Sequence, residues 1–136
     1  MKYYIIAGEA SGDLHASNLI AEIKNKDRKA EFRAWGGDLM RKQGVTLVKH
    51  YRHMAFMGFV EVAANIRKVL GNIKECKADI LSYRPDVVIL VDYPGFNLRI
   101  AEFAHRNGIK VCYYISPQVW AWKRRRVYTI KKVVDA

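Results

Sequence analysis

Three short segments carry side chains suited to acid–base or hydrogen-bonding chemistry. The first, Gly8-Glu9-Ala10-Ser11-Gly12-Asp13, sets two carboxylates and a hydroxyl directly after the apolar run Tyr3-Tyr4-Ile5-Ile6. A glycine-rich turn from strand to helix commonly binds phosphate, but carboxylates oppose an anion. Spacing points the same way. Asp13 stands where a P-loop has lysine, and neither G-x-G-x-x-G nor G-x-S-x-G is present. Carboxylates and a hydroxyl do accept hydrogen bonds from sugar hydroxyls and amide N–H groups. Capping of the next helix by Ser11 or Asp13 explains part of the pattern and leaves Glu9 without a role.

The second segment, Asp92-Tyr93-Pro94-Gly95-Phe96-Asn97, follows the β-branched run Val87-Val88-Ile89-Leu90-Val91. A carboxylate at the carboxyl end of a buried strand is partly desolvated and rigidly placed, which suits a general base. An Asx turn into the following helix is the plainer reading. No D-x-D pair accompanies it, so a metal held by carboxylates is not expected. The third segment, Ser116-Pro117-Gln118-Val119-Trp120-Ala121-Trp122, runs into Lys123, Arg124, Arg125 and Arg126. Tryptophans beside cations stack on nucleic-acid bases or sit at a membrane interface.

These segments need a scaffold that brings them together. Strand patterns recur at 3–7, 32–35, 45–48, 87–91 and 111–115, with helical patterns such as 14–23 and 98–106 between them. The alternation predicts an α/β fold, a Rossmann-like parallel sheet flanked by helices. The continuous apolar run 87–91 reads as a central strand covered on both faces. Pro85 ends the helix before it, and Gly108 closes the helix before the last strand. In such sheets ligands bind beyond the carboxyl ends of the strands, where all three segments fall.

The chain of 136 residues is one domain by size, 51% hydrophobic, with a formal net charge of +11. That apolar content excludes disorder, and no run approaches the roughly 18 residues of a membrane span. Cys76 and Cys112 read as reduced thiols, and His50 and His53 lack the partners of a zinc set. Basic residues concentrate in 28–52 and in 123–132, which favours an anionic partner. On a helix beginning near Glu61, the residues Val62, Ile66, Val69, Leu70 and Ile73 share one face. Met54, Phe56, Met57 and Phe59 precede it, more apolar surface than one helix needs and suited to acyl chains or a bilayer. The final Val133-Val134-Asp135-Ala136 resembles the approach to another strand, so residues 1–136 read as the N-terminal portion of a longer protein.

With these segments in view, the sequence resembles the lipid-A-disaccharide synthase family. The matching stretches are AGEASGD, MGFVEV, RPDVVILVDYPGFN and YISPQVWAW followed by basic residues, in the family's order. The resemblance implies the N-terminal domain of a GT-B glycosyltransferase, with the C-terminal domain, and most UDP contacts, absent from residues 1–136. It implies transfer of 2,3-diacylglucosamine from UDP-2,3-diacylglucosamine to 2,3-diacylglucosamine 1-phosphate, giving a β-1,6-linked disaccharide and UDP with inversion. No cofactor, metal or nucleic acid is implied. An anionic membrane surface is, at the cytoplasmic face of the inner membrane, and an oligomer is allowed. Gly8, Glu9, Ser11, Gly12, Asp13, Met57, Gly58, Glu61, Asn97, Ser116, Gln118 and Trp120 become the candidate substrate contacts. Val62, Ile66, Val69, Leu70 and Ile73, with Lys123 to Arg126, become the membrane or acyl-chain surface. Many family members carry a second aspartate where this chain has Gly95, which leaves Asp92 as the nearest carboxylate for a general base. Residues 1–136 alone are expected to be inactive. The alternatives are a basic α/β domain binding single-stranded nucleic acid through Trp120, Trp122 and the arginines, and another GT-B transferase.

Overall fold

A computed structural model describes residues 1–54 and 62–114. The elements are β1 (Lys2–Ala7), α1 (Ala10–Lys26), β2 (Glu31–Gly36), α2 (Asp38–Lys42), β3 (Thr46–His50), a 3-10 turn (Tyr51–His53), α3 (Val62–Tyr83), β4 (Val87–Val91), α4 (Pro94–Arg106) and β5 (Lys110–Tyr114). All neighbouring strands are parallel, in the order β3-β2-β1-β4-β5. The expected Rossmann-like sheet flanked by helices is thus observed.

Successive side chains of a strand point to opposite faces. Tyr4, Ile6, Val88 and Leu90 face a core with Val69, Ile73, Cys76 and Ile80 of α3 and Phe96 and Ile100 of α4. Ile5, Ala7, Ile89 and Val91 face the opposite core with Ala16 and Ile20 of α1 and Met40 of α2. Burial on both sides explains the unbroken apolar runs of β1 and β4.

A polar brace ties α3 to the sheet. The Arg33 guanidinium grips the Asp79 carboxylate through two hydrogen bonds of 2.7 Å. The Tyr4 hydroxyl donates to the same carboxylate at 2.7 Å and accepts from Trp35 Nε1 at 2.8 Å. Each member has a partner, so the network satisfies the usual condition for burying polar groups.

Boundaries differ from the sequence reading in three places. The first helix begins at Ala10 and runs to Lys26, so Ser11, Gly12 and Asp13 form its first turn and only Gly8 and Glu9 link it to β1. β3 runs to His50, past its last apolar residue. The helix α2 carries no long apolar period, and the sequence patterns did not reveal it. At the close of α3, Arg84 takes a left-handed conformation with φ of 54° just before Pro85. Its N–H donates to Ile80 O at 2.9 Å.

Candidate functional site at the carboxyl ends of the central strands

Parallel register sets Ala7, Val91 and Tyr114 side by side at the ends of β1, β4 and β5. The strand order reverses between β1 and β4, so the crevice between their following segments is the topological switch point. Gly8 and Glu9 form one lip, and Asp92 and Tyr93 form the other.

The Asp92 lip is held in an uncommon shape. Asp92 and Tyr93 both have positive φ, 48° and 51°, which for residues with a Cβ costs about 1 kcal/mol or more each. Surrounding groups impose it. Asn97 Nδ2 donates to Asp92 O at 2.8 Å and to Val91 O and Ile6 O at 3.4 Å. The Tyr113 hydroxyl donates to Asp92 O at 2.7 Å, and the Asp92 N–H donates to Tyr114 O at 3.4 Å. Asn97 is fully buried, and its Oδ1 has no hydrogen-bond partner. Asn97 therefore serves this structure as the clamp that joins the ends of β1 and β4, with no surface offered to a ligand.

The two lips touch. The Tyr93 ring stacks on Phe96 at 5.5 Å and lies over Gly8, where a Cβ would come within 2.5 Å of it. Burial, and after it the Glu9 carboxylate, push the Tyr93 phenol above its ordinary value. Glu9 precedes α1 in an extended conformation, exposed and with no capping bond from its side chain. It accepts from Ser11 Oγ at 3.2 Å. Gly12 lets α1 lie close on the sheet, since a Cβ there would meet Ala7 Cβ at 3.2 Å and Val91 Cγ1 at 3.6 Å.

Asp13 requires a correction. It neither caps α1 nor faces the crevice. Buried at 3% exposure, its carboxylate accepts from the N–H groups of Gly37, Leu39 and Met40 at 3.0, 3.0 and 3.1 Å. Those donors open α2, so Asp13 positions that helix and has little left to offer a sugar.

The apolar face of α3 is also divided. Val69 and Ile73 are buried in the core at 8% and 5% exposure, whereas Ile66 and Leu70 stand out at 39% and 46%. A helical stripe this wide covers both the sheet and the surface beside it, and periodicity alone does not separate the two. Val69 and Ile73 thus leave the proposed acyl-chain surface. Val62 opens α3. Met57, Gly58, Glu61, Ser116, Gln118, Trp120 and Lys123 to Arg126 lie outside the described residues.

Several site residues escaped the sequence reading. Tyr113 falls in the expected strand 111–115, but its partner is a backbone carbonyl that sequence does not reveal. Exposed His15 places its ring 6.5 Å from that of Tyr114, at the edge of the same crevice. A Cβ added at Gly95 would have nothing within 4 Å of it, so an aspartate at this position would begin in open space.

A five-stranded parallel sheet of this order, flanked by helices, defines a Rossmann-like α/β unit. A crystal structure of UDP-GlcNAc 2-epimerase from Neisseria meningitidis, bound to UDP-GlcNAc, shares the fold with a TM-score of 0.63 at 10% identity, over 98% of this chain and 39% of that one. The chain belongs to the lipid-A-disaccharide synthetase family, whose model matches residues 3–136. The lipid-A-disaccharide synthase of Geobacter sulfurreducens is 47% identical over 131 residues, 96% of this chain and 34% of that protein. That of Nitrosococcus oceani is 46% identical over the same shares. The chain thus spans about a third of the length of these relatives, and its family is that of a glycosyltransferase of lipid A biosynthesis.

Proposed function

We propose that this chain forms the acceptor-side part of an inverting glycosyltransferase. In the complete enzyme 2,3-diacylglucosamine passes from UDP-2,3-diacylglucosamine to the 6-hydroxyl of 2,3-diacylglucosamine 1-phosphate. The acceptor sugar lies across the outer side of the two lips at the switch point. Asp92 takes the proton from the 6-hydroxyl as its oxygen attacks the anomeric carbon of the donor, and UDP leaves from the opposite face. Glu9 and Ser11 accept hydrogen bonds from the sugar. Residues 1–136 alone bind acceptor without turnover.

The observation that carries this reading is the strained Asp92–Tyr93 turn. Two adjacent left-handed residues, fixed by Asn97 and Tyr113, hold half-buried Asp92 at the carboxyl end of β4. Strain of this kind clusters where a functional group must be aimed. Family membership supports the chemistry.

Contact with an anionic membrane at the inner face of the inner membrane fits a groove of 470 Å³ between α3 and α4. Exposed Leu70 lies there beside Lys74, Lys77, Arg99 and Arg106, the last 4.0 Å from the Glu102 carboxylate. Each cation near such a surface is worth about 1 kcal/mol. Among the described residues no helix is long and apolar enough to cross a membrane.

The test uses the complete reading frame and compares Asp92→Asn with Glu9→Gln. Asp92→Asn is expected to lower kcat by about 10²- to 10⁴-fold with little change in acceptor KM. Glu9→Gln is expected to act mainly on KM. If Asp92→Asn keeps its turnover and Glu9→Gln loses it, the base belongs to the first lip.

A further inference from the structure

The basic residues of the 28–52 region take no part in the site described so far. Some of them line a second cavity, of 510 Å³, along the outer edge of β3, together with Asp38, Lys49, His50 and His53. Arg41 and Arg52 supply its guanidinium groups. Its charges do not cancel. Asp38 lies 3.3 Å from His50 Nε2 and 3.7 Å from the Arg41 guanidinium. The Arg52 N–H donates to His50 Nδ1 at 3.1 Å, so the neutral imidazole carries its hydrogen on Nε2, toward Asp38. The Lys49 ammonium pairs with Glu75 at 2.6 Å and Asn72 at 3.0 Å. The Arg52 and His53 side chains enter no ion pair among the described residues. One guanidinium therefore remains to meet an anion, in a lining that also holds His53, the Lys49 ammonium, and Asp38 already engaged by His50 and Arg41.

The place of this groove matters as much as its charge. His50 ends β3, and residues 51–53 continue along the same carboxyl edge as Glu9 and Asp92. β3 lies two strands from β1, a separation of about 10 Å at the usual strand spacing. One edge of the sheet is thus negative at the switch point and positive at its β3 end. A hexose phosphate has matching ends, hydroxyls on one side of the ring and an anion on the other, over a comparable length.

We propose that the β3 groove, with Arg52 as its principal contact, seats the phosphate of a sugar phosphate whose hydroxyl end lies at the switch point. Arg52 meets the phosphomonoester oxygens through paired N–H donors, a geometry that lysine does not reproduce. Naming that sugar as the acceptor rests on the function proposed above. The phosphate seat itself rests on the groove.

Titration of the isotopically labelled chain with α-D-glucosamine 1-phosphate, inorganic phosphate and glucosamine, followed by amide NMR, tests this directly. Glucosamine 1-phosphate is expected to shift the amides of residues 50–53 together with Gly8 and Glu9. Inorganic phosphate is expected to shift only residues 50–53. Arg52→Ala should weaken both phosphates by about tenfold or more at unchanged Tm, with Arg52→Lys between it and the parent. Equal affinity in Arg52→Ala, or shifts confined to Lys74, Lys77, Arg99 and Arg106, would overturn the assignment. So would Arg52-dependent binding to phosphatidylcholine vesicles containing phosphatidic acid without binding of the soluble sugar phosphate, which would make a lipid headgroup the source. If Asp92→Asn retains turnover while Arg52→Ala still loses phosphate, the base assignment fails and the seat stands.

Discussion

Left-handed backbone brackets β4 at both ends, and the two ends differ in what imposes it. At the amino end Arg84 alone turns left-handed, after the last residue of α3, a position where glycine commonly closes a helix. The side chain is exposed there. At the carboxyl end Asp92 and Tyr93 adopt it together, under hydrogen bonds from Asn97 and Tyr113 and with an unpartnered buried oxygen beside them. One turn is a helix stop that an arginine happens to occupy. The other is a conformation that a shell of buried groups enforces around a carboxylate. Positive φ marks a site only when other residues are arranged to maintain it.

Substitutions can break or sharpen this contrast. Among substitutions that leave Asp92 itself in place, the largest effect is expected from Gly8→Ala. A methyl group 2.5 Å from the Tyr93 ring must displace the ring and with it the turn that aims Asp92. Misplacement by about 1 Å typically costs about 100-fold in rate, so kcat of the complete enzyme should fall by that order while the chain still folds. Unchanged kcat would show that the Tyr93 turn has no share in placing the base.

The polar brace of α3, away from either turn, should affect stability and leave catalysis alone. Burial opposes the charged form of Asp79, but the Arg33 and Tyr4 hydrogen bonds outweigh it and hold the carboxyl below its ordinary value. A carboxyl lowered on folding stabilises the chain above its unfolded pKa of about 3.9, and that stabilisation fades as pH falls through the lower folded value. Asp79→Asn should therefore cost about 2 kcal/mol near neutral pH and flatten the acid loss of Tm below about pH 4. Parallel Tm curves for parent and variant across that range would contradict the coupling.

Arg84→Gly gives the smallest expected effect, and the opposite sign. Relief of the left-handed penalty should raise stability by about 1 kcal/mol, read from a denaturation midpoint, with turnover unchanged. A loss of turnover would put the amino end of β4 in the mechanism and dissolve the contrast between the two ends.

The scaffold was largely legible because its strands alternate with helices and the central ones are apolar throughout. The crevice was legible for a related reason: the segments that interrupt those runs follow strand ends. What sequence could not show was direction. Asp13 and Glu9 look alike as carboxylates near a helix start, yet one turns inward to the backbone of α2 and the other outward to solvent. Val69 and Leu70 are neighbours on one apolar stripe, and packing of α3 on the sheet buries the first and exposes the second. α2 was hidden because its start depends on a side chain more than twenty residues earlier in the chain. The 28–52 charges were seen, but their pairing, which singles out Arg52, is a property of the fold.

Asp13 has one more consequence. Its carboxylate fastens the first turn of α1 to the start of α2, and Asp38 of α2 in turn meets His50 at the end of β3. The negative and positive ends of the sheet's carboxyl edge are therefore parts of one stiff frame. On the proposal above, a sugar phosphate that engages Glu9 would arrive with its far end already registered against Arg52, and the second contact would form without a further loss of loop entropy. Asp13→Ala would leave the charges of both proposed contacts in place and should still weaken glucosamine 1-phosphate in the same amide titration, because the two contacts would have to be brought into register each time.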